Sequence, residues 1–312
     1  MSMERLYSNG GNEVSQDPAM KTVYSTTITI LLFVTLCSTL FAQGNEHSSQ
    51  TEIAPQDTAL TIVDQPSFVG KVVEDETRIW TSPLRMATTD LLFWGSVTAG
   101  TVYLVANDES IYRNIKDYQN GHEWVDRISP HVSRLGEGEI SLSIAGLFYL
   151  GGLAFKNEKA KETGLLGIQA IIHTGIVVQV LKHLSGRQRP CVEDGEDHWS
   201  GPSGFFKRYD PGPFSRYDSF PSGHTIVAWG TATVIAEQYK RTIIVPVVSY
   251  SLAAMVGLSR INEDRHWLSD VFVGAALGHA IGRYLVRTRS THVDIHPATD
   301  GGSITLTLRY VF

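Results

Sequence analysis

The sequence predicts an all-α fold, a helical bundle of about six core helices with its polar chemistry gathered at one end. Three observations lead there. From residue 89 onward the apolar residues collect into six blocks, 90–106, 140–155, 165–184, 224–239, 242–259 and 267–286. Glycine, asparagine, aspartate and proline separate most of them, and none shows the strict alternation of a half-buried strand. The residues best suited to chemistry sit at the ends of blocks and not along them.

Residues 1–43 precede all of this. The stretch 1–19 is polar and patternless. From Met20 a lysine, an apolar run over 28–40 and a terminal Phe41-Ala42-Gln43 make a secretory signal peptide or, uncleaved, an anchor helix. Either form takes the chain into the export pathway. Residues 44–88 read as a polar linker or loosely packed arm, in which Ile62-Val63 and 69–73 offer a short strand or edge. Residues 89–289 form the bundle. The tail, 290–312, alternates Ile304, Leu306, Leu308, Tyr310 and Phe312 with polar or small residues, the pattern of an edge strand, with residues 60–73 as the expected partner.

Each block alone is a marginal membrane span. Seventeen helical residues reach about 26 Å against a hydrocarbon core of about 30 Å. Gln169, His173 and Gln179 interrupt the third block, Glu237 and Gln238 the fourth, and Pro246 the fifth. Six in series fit either a polytopic membrane protein or a bundle that does not span. Gly151-Gly152 and Gly274 suit close helix approach.

Composition narrows the function. The 312 residues carry 26 Lys+Arg against 32 Asp+Glu, a net charge of −6, which argues against a general nucleic-acid binder. Hydrophobic residues make up 42% and charged ones 19%, which excludes wholesale disorder. Cys37 lies in the signal, so Cys191 stands alone and neither a disulfide framework nor a cysteine zinc site is available.

Three segments carry the chemistry. Lys182-His-Leu-Ser-Gly-Arg-Gln-Arg189-Pro190 closes the third block, Pro221-Ser222-Gly223-His224 opens the fourth, and Ser259-Arg260 with His266 and Asp270 joins the fifth to the sixth. In an up-and-down bundle these ends share one face. Lys182, Arg189 and Arg260 bring three cations there. The Ser222 hydroxyl and the Gly223 and His224 amides bring a helix N-terminus, itself an anion site. Together they fit a tetrahedral dianion such as phosphate, which arginine can bind in bidentate fashion. Gly223 keeps side-chain bulk away from it. His266 and Asp270 are four apart, so on a helix the carboxylate would hold one ring nitrogen and leave the other as a nucleophile. His224, at the helix start, is placed to protonate a leaving oxygen.

The pattern K-x6-R-P, P-S-G-H, S-R-x5-H-x3-D resembles the tripartite signature of the type 2 phosphatidic acid phosphatase and vanadium-haloperoxidase superfamily, with every position filled. The likeness covers roughly residues 90–288. It implies a metal-independent phosphatase with no cofactor. His266 would attack phosphorus to give a phosphohistidine, oriented by Asp270. His224 would protonate the leaving alkoxide and then activate water. Lys182, Arg189, Ser222, Gly223 and Arg260 would bind the phosphate. Two alternatives stand beside it: a vanadate-dependent haloperoxidase, and a non-catalytic phospholipid-binding membrane protein.

The expected substrate is a phosphorylated lipid or a small phosphoester, with membrane contact and no nucleic acid. The loop 191–220 holds Trp199, Phe205, Phe206, Tyr209, Phe214, Tyr217 and Phe220, either an apolar rim for lipid or a loop packed by its own aromatics. The expected location is a bacterial-type cell envelope, in the periplasm or in a membrane with the active face on the periplasmic side. Lys156, Lys159, Lys161, Lys240, Arg241, Arg283, Arg287 and Arg289 all fall at the inactive end, which the positive-inside rule places in the cytoplasm. A cleaved signal followed by six spans gives the opposite parity.

Overall fold

The computed structural model describes residues 68–192, 199–204, 216–289, 293–300 and 303–310. By internal contacts the chain divides into residues 1–71 with 212–214, and 72–211 with 215–312; the second unit holds all three motifs. The signal segment and most of the aromatic loop lie outside the described residues.

Eight helices occur among the described residues: α1 (Phe68–Trp80), α2 (Thr88–Asn120), α3 (Glu123–Arg134), α4 (Gly138–Ala154), α5 (Glu158–Ser185), α6 (Gly223–Gln238), α7 (Ile244–Asn262) and α8 (Leu268–Arg289). The six apolar blocks map onto α2 and α4–α8, so the all-α fold is as expected. Local chemistry sets several boundaries. Asn157 caps α5 by accepting from the Ala160 amide at 3.1 Å, and Gly186, at φ 52°, ends it in the left-handed conformation that glycine adopts at least cost. Ser222 caps α6.

The centre of the bundle is α5, α6 and α8. Leu166, Ala170, Val177 and Val178 of α5 meet Ile226, Val227 and Val234 of α6 and Ile281 and Leu285 of α8. Between α6 and α8 the backbones themselves touch. Gly274, Gly278 and Gly282 recur every four residues, one face of a helix. A Cβ at those positions would stand 2.9, 2.4 and 2.6 Å from the carbonyl oxygens of Ser222, Ile226 and Gly230. No larger residue fits that seam, and its first contact is the helix start that carries the second motif.

The structure departs from the sequence reading in three places. Residues 69–73 belong to helix α1 and not to a strand. From Asp75 and Glu76 this helix reaches the Tyr284 hydroxyl, which donates to Asp75 Oδ1 at 2.9 Å, and His173, whose Nδ1 lies 2.9 Å from Glu76 Oε1. Helix α3 was unforeseen because its own composition is polar and Pro130 lies within it. The C-terminal strand Ser303–Tyr310 pairs antiparallel with Val293–Asp300, Ile295 opposite Leu308; of its expected partner, residues 68–73 are helical and 60–67 lie outside the described residues.

Among the described residues two helices, Glu158–Ser185 and Ile244–Asn262, are long and apolar enough to cross a membrane. Large apolar side chains stand exposed along α7 (Ile244, Val247, Val248, Leu252, Met255, Leu258) and α4 (Leu147, Leu150, Leu153). Such a density is more than scattered surface leucines. At the end away from the motifs, Lys159 Nζ sits 4.6 Å above the Tyr239 ring, which brings the basic α4–α5 turn to the basic α6–α7 turn.

Candidate active site

The motif residues lie on neighbouring helix ends and the turns between them, and hydrogen bonds tie those ends together. The Ser222 amide donates to the Asp270 carbonyl at 3.1 Å, the Ser219 amide to the Arg187 carbonyl at 3.0 Å, and Trp267 Nε1 to the Gln188 carbonyl at 2.9 Å. The structure thus brings together the ends of α5 and α7 and the starts of α6 and α8.

The cations come with an acid that sequence reasoning missed. Asp218 accepts from Arg189 Nε at 2.7 Å and lies 3.5 Å from Lys182 Nζ. It is 4% exposed. One buried carboxylate therefore holds two phosphate-binding candidates in place and occupies only one edge of the guanidinium. Burial works against the Arg189 charge, but Asp218, with smaller help from Cys191 and Asp270, outweighs it and the pKa is raised. Arg260 is held from the other side: its Nη1 donates to Ser133 Oγ and, at 2.7 Å, to Glu263 Oε2. Its Nε is buried without a partner, a donor available to an anion.

At the start of α6, Ser222 Oγ accepts from the Thr225 hydroxyl at 2.8 Å and caps the Thr225 amide at 3.4 Å. Its own proton remains to be donated. A Cβ on Gly223 would stand 4.0 Å from Lys182 Nζ. The glycine thus leaves a gap between amide and ammonium suited to a phosphate oxygen.

His266 is 1% exposed, and its Nδ1 lies 2.7 Å from the Ser219 carbonyl oxygen. A carbonyl only accepts, so Nδ1 carries the proton and Nε2 is left as the bare nitrogen. Asp270 is not the direct partner: its Oδ2 lies 3.6 Å from Nδ1, beyond hydrogen-bond reach. The four-residue spacing misleads because α8 begins only at Leu268, so His266 precedes the helix. Asp270 sits in the first turn and reaches back to the Trp267 amide at 2.9 Å, as acids at that position do.

Asp270 acts at one remove. Its Oδ2 accepts from Ser219 Oγ at 2.5 Å, and its Oδ1 from Arg187 Nη1 at 2.7 Å. The chain Asp270–Ser219–His266 orients the ring through a serine whose hydroxyl and carbonyl do separate work. Arg187 lies inside the first motif, and its guanidinium is engaged by the protein's own carboxylates. It is fully buried, bonds Asp270, Ser269 Oγ at 2.5 Å and Asp108 Oδ2 at 2.8 Å, and lies between Trp199 and Trp267 at 4.6 and 5.4 Å. Trp199 is therefore a plate over Arg187, tilted against Phe220 at 5.3 Å, with 45% of its surface exposed. Asp108, from the middle of α2, accepts from the Ser269 amide at 3.1 Å and from its hydroxyl. Burial raises the Asp108 pKa, and the bonds from Ser269 and Arg187 pull against that rise.

Both histidines are held well below the ordinary imidazole pKa. For His224 burial comes first, followed by the nearby Arg260, His266, Lys182 and Arg189; for His266 burial is followed by Arg189, Lys182 and Arg260. Both rings are neutral in the free site. A bound dianion offsets the cations and raises the pKa of both. Sulfate does not titrate near neutrality, so its binding at pH 7 is expected to draw protons from solution. Calorimetry in buffers of different ionisation enthalpy would measure this. Sulfate binding with no proton uptake would show that the rings lie outside the anion's field.

No group of three or more side chains suited to hold a metal ion occurs among the described residues. Cys191 is exposed and makes no disulfide.

Residues 164–294 match the model of the PAP2 superfamily. That segment contains every motif residue. Over 66 residues the chain is 44% identical to lipid A 1-phosphatase of Porphyromonas gingivalis, covering 21% of this chain and 15% of the relative. Over 94 residues it is 35% identical to the probable diacylglycerol pyrophosphate phosphatase 1 of Schizosaccharomyces pombe, covering 26% and 34%. The chain thus spans about a third or less of the length of these two relatives. Among solved structures it is similar to Aquifex aeolicus LpxE, with a TM-score of 0.43 and 24% identity over 58% of this chain and 94% of that one.

Proposed function

We propose that this PAP2-type chain is a phosphatase that hydrolyses lipid phosphate monoesters or pyrophosphates through a phosphohistidine, without a metal. The observation that carries this is His266: its Nδ1–H is committed to the Ser219 carbonyl, and its Nε2 is unprotonated beside Lys182, Arg189 and Arg260.

Lys182, Arg189, Arg260 and the Gly223 amide hold the phosphoryl oxygens, whose charge spreads in the transition state. His266 Nε2 forms a bond to phosphorus as the bond to the leaving oxygen breaks. His224, its pKa raised by the bound dianion, gives that oxygen a proton. Neutral again, His224 takes a proton from water, whose oxygen attacks phosphorus; the P–N bond breaks and phosphate leaves. Asp270, through Ser219, keeps His266 in the productive tautomer.

The lipid class is supported by the names of the relatives and by the apolar surfaces of α4 and α7. Two basic turns meet at the end away from the site, which supports an active end facing away from the cytoplasm. The test is phosphate release from phosphatidic acid in neutral-detergent micelles and from a soluble chromogenic phosphomonoester, with and without chelator. Release from both, unchanged by chelator, is expected. Halide oxidation with vanadate and peroxide in place of phosphate release would make the chain a haloperoxidase. Lipid binding with no turnover would make it a binding protein.

A further inference from the structure

Helix α3 packs over the active end on a polar, narrow face. Ser133 Oγ accepts from Arg260, Asn262 Nδ2 donates to Ser129 Oγ at 3.2 Å, and Val125 is buried. The opposite face is open. At 3.6 residues per turn Arg127, His131 and Arg134 fall within an arc of about 60°. All three are exposed, and none has an ion pair among the described residues. Trp124, Leu135 and Ile128 lie together on one shoulder of that arc, 52%, 38% and 47% exposed. Of the helix's acids, Asp126 is bonded by Gln119, and Glu123 opens the basic face at the end farthest from Ser133.

We infer that this face of α3 binds the phosphate headgroups of anionic lipid in the leaflet that presents the substrate, and so concentrates lipid phosphate at the mouth of the site. The inference rests on the lipid-phosphatase reading. Two arginines on one helix face, about two turns apart, on a chain of net charge −6 are complementary to a sheet of phosphates. An aromatic and two aliphatic side chains on a single shoulder suit a helix lying in an interface, with that shoulder toward the acyl chains and the cations at headgroup level. An acidic protein partner would use the arginines but leave the apolar shoulder unexplained. The face also has the right address. Arg134 follows Ser133, which holds Arg260 of the catalytic anion site, so a headgroup on Arg134 lies within about one helix diameter of it.

The test compares the full-length wild type with R127E/R134E, on phosphatidic acid in neutral-detergent mixed micelles and on the soluble chromogenic ester. The variant is expected to raise KM for the lipid about tenfold or more, with kcat within about twofold and ester kinetics unchanged. R127K/R134K should keep most of the wild-type lipid KM. Added salt should raise the wild-type lipid KM toward the variant's and leave the variant little changed. An unchanged lipid KM in R127E/R134E, or equal losses on both substrates, overturns the inference and leaves the phosphatase reading standing. A wild type that cleaves the ester but not the lipid removes the lipid reading, and this inference with it.

Discussion

His266→Ala is expected to lower kcat by about four to six orders of magnitude, as removal of a nucleophile does. The fold should survive. The side chain makes one hydrogen bond, to the Ser219 carbonyl, and leaving that carbonyl unpaired costs about 1–3 kcal/mol. A far-ultraviolet spectrum like the wild type's, with a modest fall in Tm, would separate lost chemistry from lost structure. The covalent step has its own signature. With the chromogenic ester, whose leaving group needs no proton, His224→Ala should still form the phosphoenzyme but hydrolyse it about 10²- to 10⁴-fold more slowly. Labelled phosphate should therefore accumulate on that variant, in an acid-labile and alkali-stable bond, and be missing from His266→Ala. Turnover near wild type in His266→Ala would overturn the mechanism.

The second large effect lies away from the phosphate. Arg187→Met leaves Asp108 and Asp270, both fully buried, without their common cation. Breaking one side of such a cluster costs about 3–5 kcal/mol, because the remaining charges stay desolvated. Removing the facing acid as well, in Arg187→Met/Asp108→Leu, should recover part of that stability. It should not restore activity. Asp270 still lacks its arginine, and through Ser219 it sets the His266 ring, where a misplacement of about 1 Å can cost about 10²-fold. Denaturant titration reads the stability, and kcat the positioning. If kcat recovers in the double variant together with stability, Arg187 is a structural strut alone.

Much of the bundle was legible because its core helices are apolar and its breaks carry glycine and proline. The phosphate-binding candidates were legible because the chemistry demands particular residue types at fixed spacing on helix ends. What supports them was not. Asp218 and Ser219 sit in a loop where any acid or serine looks like surface. Asp108 lies 162 residues before Asp270 in an otherwise ordinary helix. Arg187 was in view, but a buried arginine and a phosphate-binding arginine are identical in sequence. Helices α1 and α3 dock largely through polar contacts, so apolar periodicity had little to report. The spacing of His266 and Asp270 was read as helical when the helix starts two residues after the histidine.

The glycine seam between α6 and α8 bears on the site in mechanical terms. Side-chain contacts yield by changing rotamer, but at Gly274, Gly278 and Gly282 one backbone rests on another and has no rotamer to change. His224 rides on one rail of this seam and Asp270 on the other. Stretching or tilting the bundle therefore strains softer joints first, such as those that α7 makes through side chains, Val256 against Gly136 and Val271 against Gly257. The distance between His224 and Asp270 is thus a dimension machined into the main chain, stiff where α7 is compliant.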